Sequence, residues 1–416
     1  MRGVVSLTPL VVFLLVYVLS SVIAEDFYAV PVASAFLVAC IYAVAVGQGP
    51  LKERVKAFSK GAGNPDIMLM IWIFILAGAF ANTAKAIGSV DATVSLMLGI
   101  IPPGIILSGI FVTACLISMA MGTSVGTIVA LVPIGAGIAE QCGLSQPFMA
   151  GIIVGGAFFG DNLSFISDTT IAATQAAGCE MADKFKANIL IVLPAFVAVT
   201  VIYIVMGHGM DFSGDVHDSN VLLVLPYLLV IVLALLRMNV TLVLTMGVVV
   251  NAVIGFLAGS YGWTGWMISA GEGIAGMSDL IIVTLLSGGL LETIRRGGGL
   301  DLIINTLTRH IRGRRGAQAA IACLVSLANV CTANNTIAII TTGRIAHDVA
   351  LRFGIPARKT ASIMDTFSCL VQSLIPYGAQ LLMAAGLASI SSSSIIPYLY
   401  YPFLMGACSI LFILFR

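Results

Sequence analysis

Long apolar stretches are the feature of this sequence that most restricts its fold. Eight of them are long enough to cross the roughly 30 Å hydrocarbon core of a bilayer as helices. They lie near residues 4–23, 29–47, 67–87, 187–207, 220–236, 240–259, 278–294 and 395–415. Only 9% of the 416 residues are charged, whereas 59% are hydrophobic, which is too little charge to cover a water-soluble domain. The sequence therefore predicts an all-α membrane protein.

The apolar run within residues 1–24 follows Arg2 and could be mistaken for a signal peptide. It is about 20 residues long, beyond the 7–15 residues of a signal core. We interpret it as a retained first helix, because its removal would take one span from the repeat described below.

The loop charges agree with a single orientation across the membrane. The loop at 52–60 is basic and is expected in the cytoplasm, because Lys and Arg accumulate on that side. The N-terminus then lies inside, and Glu25 and Asp26 lie outside. The other charged loops fit the same scheme, with 295–315, Lys184, Lys186 and Arg237 inside and 208–220 outside. We expect a multi-pass protein of the bacterial inner membrane with both termini in the cytoplasm.

Two distant stretches of the chain match each other weakly but in one order. The matches pair Gly88 and Asp91 with Gly298 and Asp301, 126–128 with 335–337, 143–144 with 354–355, and 176–178 with 384–386. Asp91 is predicted outside and Asp301 inside, so the halves are predicted to be inverted repeats, as in alternating-access transporters. They comprise residues 1–207 and 220–416, joined by an external linker at 208–219.

Each half contains an apolar region interrupted by small and polar residues. The first reads as a hairpin at about 104–140, entering from outside, with its tip at Gly122-Thr123-Ser124. The second reads as a hairpin at about 316–350, entering from inside, with its tip at 331–335. Each arm is long enough to be a full span, so re-entrant hairpins and helix pairs both fit the sequence.

A span broken at its centre follows each hairpin. The first covers 147–182 with a break at 160–170, and the second covers 357–392 with a break at 372–378. Unwound backbone is tolerated in a membrane only where it is buried in protein or lines a cavity. The predicted fold is therefore an inverted-repeat secondary transporter with about ten transmembrane helices, two re-entrant hairpins and two broken helices.

Three aspartates fall within these broken spans: Asp161, Asp168 and Asp365. A carboxylate at membrane depth is costly unless it is paired, protonated or metal-bound, so intramembrane Asp suggests function. A buried carboxyl group holds its proton tightly and a bound cation favours the ionised form, so Na⁺ and H⁺ can compete for one aspartate. We predict all three as Na⁺ ligands; the alternative is that one of them only caps a half-helix.

Other polar residues at the breaks and tips are predicted to help bind an ion or substrate. They are Asn162, Ser164, Ser167, Thr169, Thr170, Thr123, Ser124, Asn334, Asn335, Thr336, Gln372 and Gly378. The tip residues could instead satisfy only the tip backbone. Glu292 is expected to form an interfacial ion pair with Arg295 and Arg296, and Arg344 could pair with Asp348 or neutralise a buried Asp. Eight scattered Cys and four His show no ligand spacing, so no cofactor is predicted beyond transported Na⁺ and H⁺. The net charge of +1 gives no reason to expect a nucleic-acid partner.

At these residues the sequence resembles the NhaC family of sodium/proton antiporters, within the ion transporter superfamily. Residues 121–127, MGTSVGT, are similar to that family's GTSxGT stretch, and 159–170 are similar to its FGDxxSPxSDTT signature. Segments 365–369 and 375–380 also look like that family. The resemblance covers most of residues 66–390, and its specific part is the GDxxS…SDTT element. Phe165 stands where the family usually has Pro.

The resemblance implies scaffold and transport regions, frequent dimers and cation-coupled exchange. The leading hypothesis is a Na⁺/H⁺ antiporter, and the alternative is an ion-coupled transporter of a small organic anion or amino acid. A channel is a further alternative. An intramembrane aspartyl protease fits poorly, because the first Gly of its GxGD motif is replaced by Phe158. The protein is therefore not expected to be an enzyme.

Overall fold

The computed structural model describes residues 2–24, 31–100, 102–165, 167–208, 221–236, 238–308 and 311–415. Within these ranges the chain is almost entirely helical and contains no strand, so the predicted all-α membrane fold is confirmed. The predictions for Glu25, Asp26, Arg237 and 209–220 concern residues outside the described ranges.

The helices are α1 (Arg2–Ile23), α2 (Val32–Val46), α3 (Leu51–Ala62), α4 (Pro65–Ala86), α5 (Ser89–Ile100), α6 (Ile106–Met121), α7 (Ser124–Gln141), α8 (Gln146–Leu163), α9 (Asp168–Ala177), α10 (Met181–Gly207), α11 (Val221–Leu235), α12 (Val240–Leu257), α13 (Trp263–Gly276), α14 (Ser278–Arg296), α15 (Gly299–Thr308), α16 (Gly313–Thr332), α17 (Asn335–Arg352), α18 (Ala357–Leu374), α19 (Ala379–Ala388), α20 (Ser392–Ile395) and α21 (Tyr400–Phe415). Short 3₁₀ helices lie at Pro103–Ile105 and Ile396–Tyr398.

Six helical segments of the described chain are long and apolar enough to cross a membrane. Two bent pairs raise the number to eight: α13 with α14, at 41°, and Ser392–Tyr398 with Tyr400–Leu414, at 57°. Five further apolar segments of 10–17 residues include part of α1, which is a 22-residue helix. The helices of the described chain are therefore consistent with a membrane transporter.

Helix α1 is part of the protein core. Phe13 is buried, and its ring centroid lies 4.3 Å from that of Phe36 on α2 and 5.6 Å from that of Tyr377 at the second break. Tyr17 hydrogen-bonds Ser393 through their hydroxyl groups at 2.9 Å. The first helix thereby packs against the C-terminal half of the chain.

Three helices of the first half recur in the second with equal length and a constant offset in the sequence. Both ends of α17, α18 and α19 are displaced by this same offset from the ends of α7, α8 and α9. The contacts recur as well. Ser118 donates to Ala157 O at 2.5 Å, and Asn329, the residue at the same offset, donates to Ser368 O at 2.7 Å. The structure therefore repeats the sequence match helix by helix; the inverted orientation of the halves stays a prediction.

The two halves pack closely through glycines on paired helices. α4 packs against α13, and α3 packs against α14. A Cβ on Gly78 would lie 2.3 Å from Gly273 O, and one on Gly61 would lie 2.4 Å from Gly288 O. Only glycine permits this approach of two backbones.

The predicted tips and breaks fall at helix ends, and the breaks are shorter than predicted. The tips lie between α6 and α7 and between α16 and α17, where Gly122 (φ 71°) and Ala333 (φ 48°) turn the chain in the left-handed region. The breaks reduce to 164–167 and 375–378. Asp161 and Gln372, predicted to lie in unwound segments, are in the last turns of α8 and α18 because these helices continue to residues 163 and 374.

Candidate functional site

A cavity of about 660 Å³ lies where the two tips and the two helix breaks meet. Four elements that are far apart in the sequence thus surround one space. Nine predicted site residues line it: Thr123, Ser124, Asp161, Asp168, Thr169, Asn334, Asn335, Thr336 and Gln372. The other six, Asn162, Ser164, Ser167, Thr170, Asp365 and Gly378, are absent from the lining.

Asp161 is the buried carboxylate of this cavity, with 5% of its surface exposed. Its Oδ1 accepts the backbone N–H of Ser124 at 2.8 Å, and its Oδ2 accepts the Ser124 hydroxyl at 2.5 Å. Ser124 is the first residue of α7, where unpaired backbone N–H groups favour a negative charge. Since both oxygens act as acceptors, the geometry fits the ionised carboxylate.

The first break is closed by hydrogen bonds to the backbone of Asp161. Its carbonyl oxygen accepts the hydroxyls of Ser167 at 2.6 Å and Thr169 at 3.0 Å. The Ser167 hydroxyl also accepts Thr170 N–H at 3.2 Å and so caps α9. Ser167 and Thr169 thus set the position of the carboxylate through the backbone that carries it.

Asp168 lies at the start of α9, lines the same cavity and is exposed. A carboxylate in the first turn of a helix interacts favourably with the helix dipole. Asp161 and Asp168 therefore line one space.

A chain of amide groups links the two tips. Gln380 donates Nε2–H to Ser124 Oγ at 3.0 Å, and its Oε1 accepts Gln372 Nε2–H at 2.9 Å. Gln372 also donates to Ala333 O at the second tip, at 3.1 Å. The Asp161 carboxylate is thus connected to the second hairpin through Ser124, Gln380 and Gln372. Gln380 was missed in the sequence because a single Gln in an apolar helix carries no pattern.

The second tip holds three polar residues against the cavity. Asn334 Oδ1 accepts Ile337 N–H at 3.0 Å and caps α17, and Asn335 Oδ1 accepts Thr336 N–H at 3.1 Å. Asn335 Nδ2 is buried without a hydrogen-bond partner. Part of this polarity therefore serves the tip backbone, which was the alternative considered from the sequence.

Asp365 lies away from the cavity lining, fully buried in α18, and forms an ion pair with Lys184 of α10. The Lys184 ammonium also donates to Asn162 O and, at 2.7 Å, to Thr170 Oγ1. Lys184 was predicted as a loop charge on the cytoplasmic side. Its side chain is buried, with 1% of its surface exposed. Arg344 was one predicted partner for a buried Asp. Arg344 is exposed, and Lys184 forms the ion pair with Asp365 instead.

Asn162 connects the broken span to two neighbouring helices. Its Nδ2 donates to Thr366 Oγ1 at 3.1 Å, and its Oδ1 accepts Asn188 Nδ2–H at 2.8 Å. Asn188 and Lys184 stand at i and i+4 on α10 and so share one face. That spacing of two polar residues at the start of an apolar helix is the signal that could have identified Lys184.

The three predicted aspartates do not form one ligand set in this arrangement. No cluster of three or more His, Cys, Asp or Glu side chains suited to a metal ion occurs in the described part of the chain. Asp365 is engaged by Lys184, whereas Asp161 and Asp168 line the cavity; their roles as Na⁺ ligands stay predictions. Ser164 donates to Met119 O at 2.8 Å and Gly378 precedes α19 as its N-cap, both structural positions.

Charged and polar residues also line the cavity away from the tips. Asp66 and Asn64 of the α4 start, and Glu292 and Arg295 near the end of α14, belong to the lining. Glu292 lies 3.0 Å from Arg295 and 3.6 Å from Arg296, which is the ion pair expected from the sequence. The cavity thus extends from the buried Asp161 to the charged ends of α4 and α14.

Comparison with known proteins shows the family of this chain. The sequence pattern of the Na⁺/H⁺ antiporter family matches residues 4–208 and 218–416, nearly the whole chain. The chain belongs to the Na⁺/H⁺ antiporter family. The NhaC resemblance is thereby confirmed, since the Na(+)/H(+) antiporter NhaC of Alkalihalophilus pseudofirmus is 24% identical over 376 residues, covering 82% of this chain and 81% of that protein.

Proteins named for the exchange of organic solutes are also similar to this chain. The Malate-2H(+)/Na(+)-lactate antiporter of Bacillus subtilis is 24% identical over 400 residues, covering 87% of this chain and 84% of that protein. The Arginine/ornithine antiporter ArcD of Halobacterium salinarum is 22% identical over 374 residues, covering 82% and 76%.

In this family member the signature element forms the end of α8, the break and the start of α9. Phe165 lies within the break. Its ring stacks on Phe185 of α10, with centroids 4.6 Å apart and planes at 16°. An aromatic contact therefore packs this segment against α10.

Proposed function

We propose that the protein is a Na⁺/H⁺ antiporter in which Na⁺ and H⁺ bind the Asp161 carboxylate in competition. The observation that supports this most is the position of Asp161. It is a buried carboxylate at the wall of the cavity, and it accepts hydrogen bonds from the backbone N–H and the hydroxyl of Ser124. Intramembrane carboxylates of this kind mark ion pathways.

The surroundings of Asp161 favour a small hard cation. Asp161 lies in the last turn of α8, where carbonyl groups present the negative end of the helix dipole. Each carboxylate oxygen keeps a lone pair after accepting from Ser124. Asp168 and Gln372 also line this space. These oxygen ligands suit Na⁺, and protonation of the carboxylate would remove their main charge.

Alternating access fits the shape of the cavity. It extends toward Asp66, Glu292 and Arg295, which the predicted orientation places at the cytoplasmic face of the bacterial inner membrane. We therefore assign the arrangement described here to a state open to the cytoplasm. Opening to the other side would require the two tips and the amide chain between them to move.

Transport by reconstituted protein tests this function. Proteoliposomes with an internal pH-sensitive dye should show Na⁺-driven proton movement without any organic solute. Asp161→Asn should abolish it, because the substituted amide keeps the size of the side chain and loses the charge. Asp91→Asn, at an exposed position in α5, is the matched control and should transport normally. Proton movement of unchanged rate and pH dependence in Asp161→Asn would exclude this carboxylate.

A second candidate is exchange of a small organic anion or amino acid coupled to Na⁺ or H⁺. It is favoured by the volume of about 660 Å³, which far exceeds that of a Na⁺ ion, and by the names of the malate/lactate and arginine/ornithine relatives. Counterflow of labelled lactate, malate, arginine or ornithine in the same vesicles separates the candidates. Strict dependence of proton movement on one of these solutes would establish the second.

A further inference from the structure

The Lys184 side chain is a buried cation that the proposed transport step does not use. Its ammonium group contacts three oxygens: Asp365 Oδ2, Asn162 O and Thr170 Oγ1. An ammonium group has three hydrogens to donate and no acceptor. All three are therefore engaged, and the charge sits in a complete oxygen shell.

The three oxygens come from three separate elements around the first break. Thr170 is in the first turn of α9, and Asp365 lies in the middle of α18. Asn162 is in the last turn of α8, whose final carbonyl groups have no partner within the helix. Asn162 O also accepts Asn188 Nδ2–H at 3.1 Å. One carboxylate, one carbonyl at a helix end and one hydroxyl are ligands that hard cations prefer. The shell is thus suited to a metal ion as well as to an ammonium group.

We propose that Asp365, Asn162 and Thr170 form a second cation site whose resident cation is the Lys184 ammonium, and that Na⁺ binds there when Lys184 is removed. In the state described here Lys184 occupies the site and joins α10 to both half-helices and α18. The site is distinct from the cavity, because these four residues do not line it. The inference does not rest on Asp161 being the transport site.

A second pocket, separate from the main cavity, lies on the elements that carry this site. A pocket of about 580 Å³ is formed by the end of α9, the start of α10 and the start of α18. These are the elements that carry Thr170, Lys184 and Asp365. Its lining includes Glu180 and Asp183, with Asp183 directly preceding Lys184. Arg358 also lines this pocket, and we expect a cation to approach the shell from this side.

Cation binding to Lys184→Met measures the proposed site without transport. Removal of one partner leaves a buried carboxylate uncompensated, which is strongly destabilising. Thermal unfolding of the purified protein in detergent at pH 8 would be followed in NaCl and in choline chloride of equal ionic strength. Na⁺ should raise the Tm of Lys184→Met by at least ~2 °C more than that of the wild type, because a ligand that binds only the folded state stabilises it.

The double variant Lys184→Met/Asp365→Asn is the matched control. It removes both charges, so it should fold in either salt and lose the extra response to Na⁺. If Lys184→Met is recovered folded only in NaCl, the proposal is also supported. Equal responses to Na⁺ in the single and double variants would overturn it and make the pair a purely structural contact. So would a single variant that unfolds in both salts while the double variant folds.

Asp161→Asn separates this site from the proposed transport site. Lys184→Met/Asp161→Asn should keep the extra Na⁺ response, because the three oxygens of the second site remain. Loss of the response in this variant, with its retention in Lys184→Met, would place the ion at Asp161 and refute the second site. Failure of Asp161 as the transport residue would leave the thermal result unaffected.

Discussion

Asp161 and Gln372 occupy corresponding positions of the two repeats, in the last turns of α8 and α18. Each contacts the hairpin tip of its own half. Asp161 accepts hydrogen bonds from Ser124, whereas Gln372 donates one to Ala333 O. One repeat thus places a charge beside the cavity where the other places a neutral amide, and this difference makes the site asymmetric.

Competition between Na⁺ and H⁺ for Asp161 predicts a specific pH dependence. Protonation neutralises the carboxylate, so the apparent KM for Na⁺ should rise as the pH falls, approaching ~10-fold per pH unit where the protonated form dominates. The maximal rate at saturating Na⁺ should change much less. Dye-loaded proteoliposomes assayed at several pH values measure both parameters. A KM that is constant across pH would contradict a shared site.

Ser124→Ala should weaken Na⁺ binding without abolishing transport. The variant loses the hydroxyl donor to Asp161 Oδ2 and the acceptor for Gln380, but it keeps the backbone N–H bond to Oδ1. Loss of an outer contact to a ligating carboxylate typically costs ~10–100-fold in metal affinity. The KM for Na⁺ is the measurement, and Ser124→Thr, which retains a hydroxyl, should recover most of the loss. Identical KM values for Ala and Thr would show that the hydroxyl has no role.

Gln372→Glu should impair exchange at high pH and recover partly at low pH. Ionised glutamate has no hydrogen to donate to Ala333 O or to Gln380 Oε1. Acidification restores one O–H donor, so the effect of pH has the opposite sign to that predicted for Na⁺ binding at Asp161. Initial rates at saturating Na⁺ across neutral and alkaline pH test this. Gln372→Met, which has no donor at any pH, should show a loss without recovery.

Gly78→Ala should destabilise the protein, because the added Cβ would meet Gly273 O at 2.3 Å. Overpacking of a close contact costs about 1–3 kcal/mol, and the two backbones must separate to relieve it. Gly271→Ala is the control, since α13 at that position has nothing within 4 Å of a Cβ, and it should be neutral or slightly stabilising. Thermal unfolding in detergent compares them. Equal Tm values would mean that α4 and α13 are not in backbone contact.

The class of fold and the positions of the helix breaks could be predicted from the amino-acid sequence. Apolar windows separated by polar residues predict membrane helices, because lipid requires every backbone hydrogen bond to be made within the segment. The tip at Gly122 and the aspartates at 161 and 168 were also predicted, because polar and helix-breaking residues are rare in apolar spans. Local pattern was sufficient for these features because each depends on residues near one another in the chain.

The contacts between polar residues could not be predicted from the sequence and are seen only in the folded structure. Lys184 reads as a loop charge in the sequence, yet it lies buried against Asp365, which belongs to the other half of the chain. Gln380 likewise donates to Ser124, which belongs to the other half of the chain. Nothing in the sequence around either residue indicates this contact. These contacts follow from the packing of α8, α10, α18 and α19, and packing depends on shape over the whole molecule. The sequence thus predicted an aspartate-containing site at the breaks, while the fold divided the aspartates between a cavity and a buried ion pair.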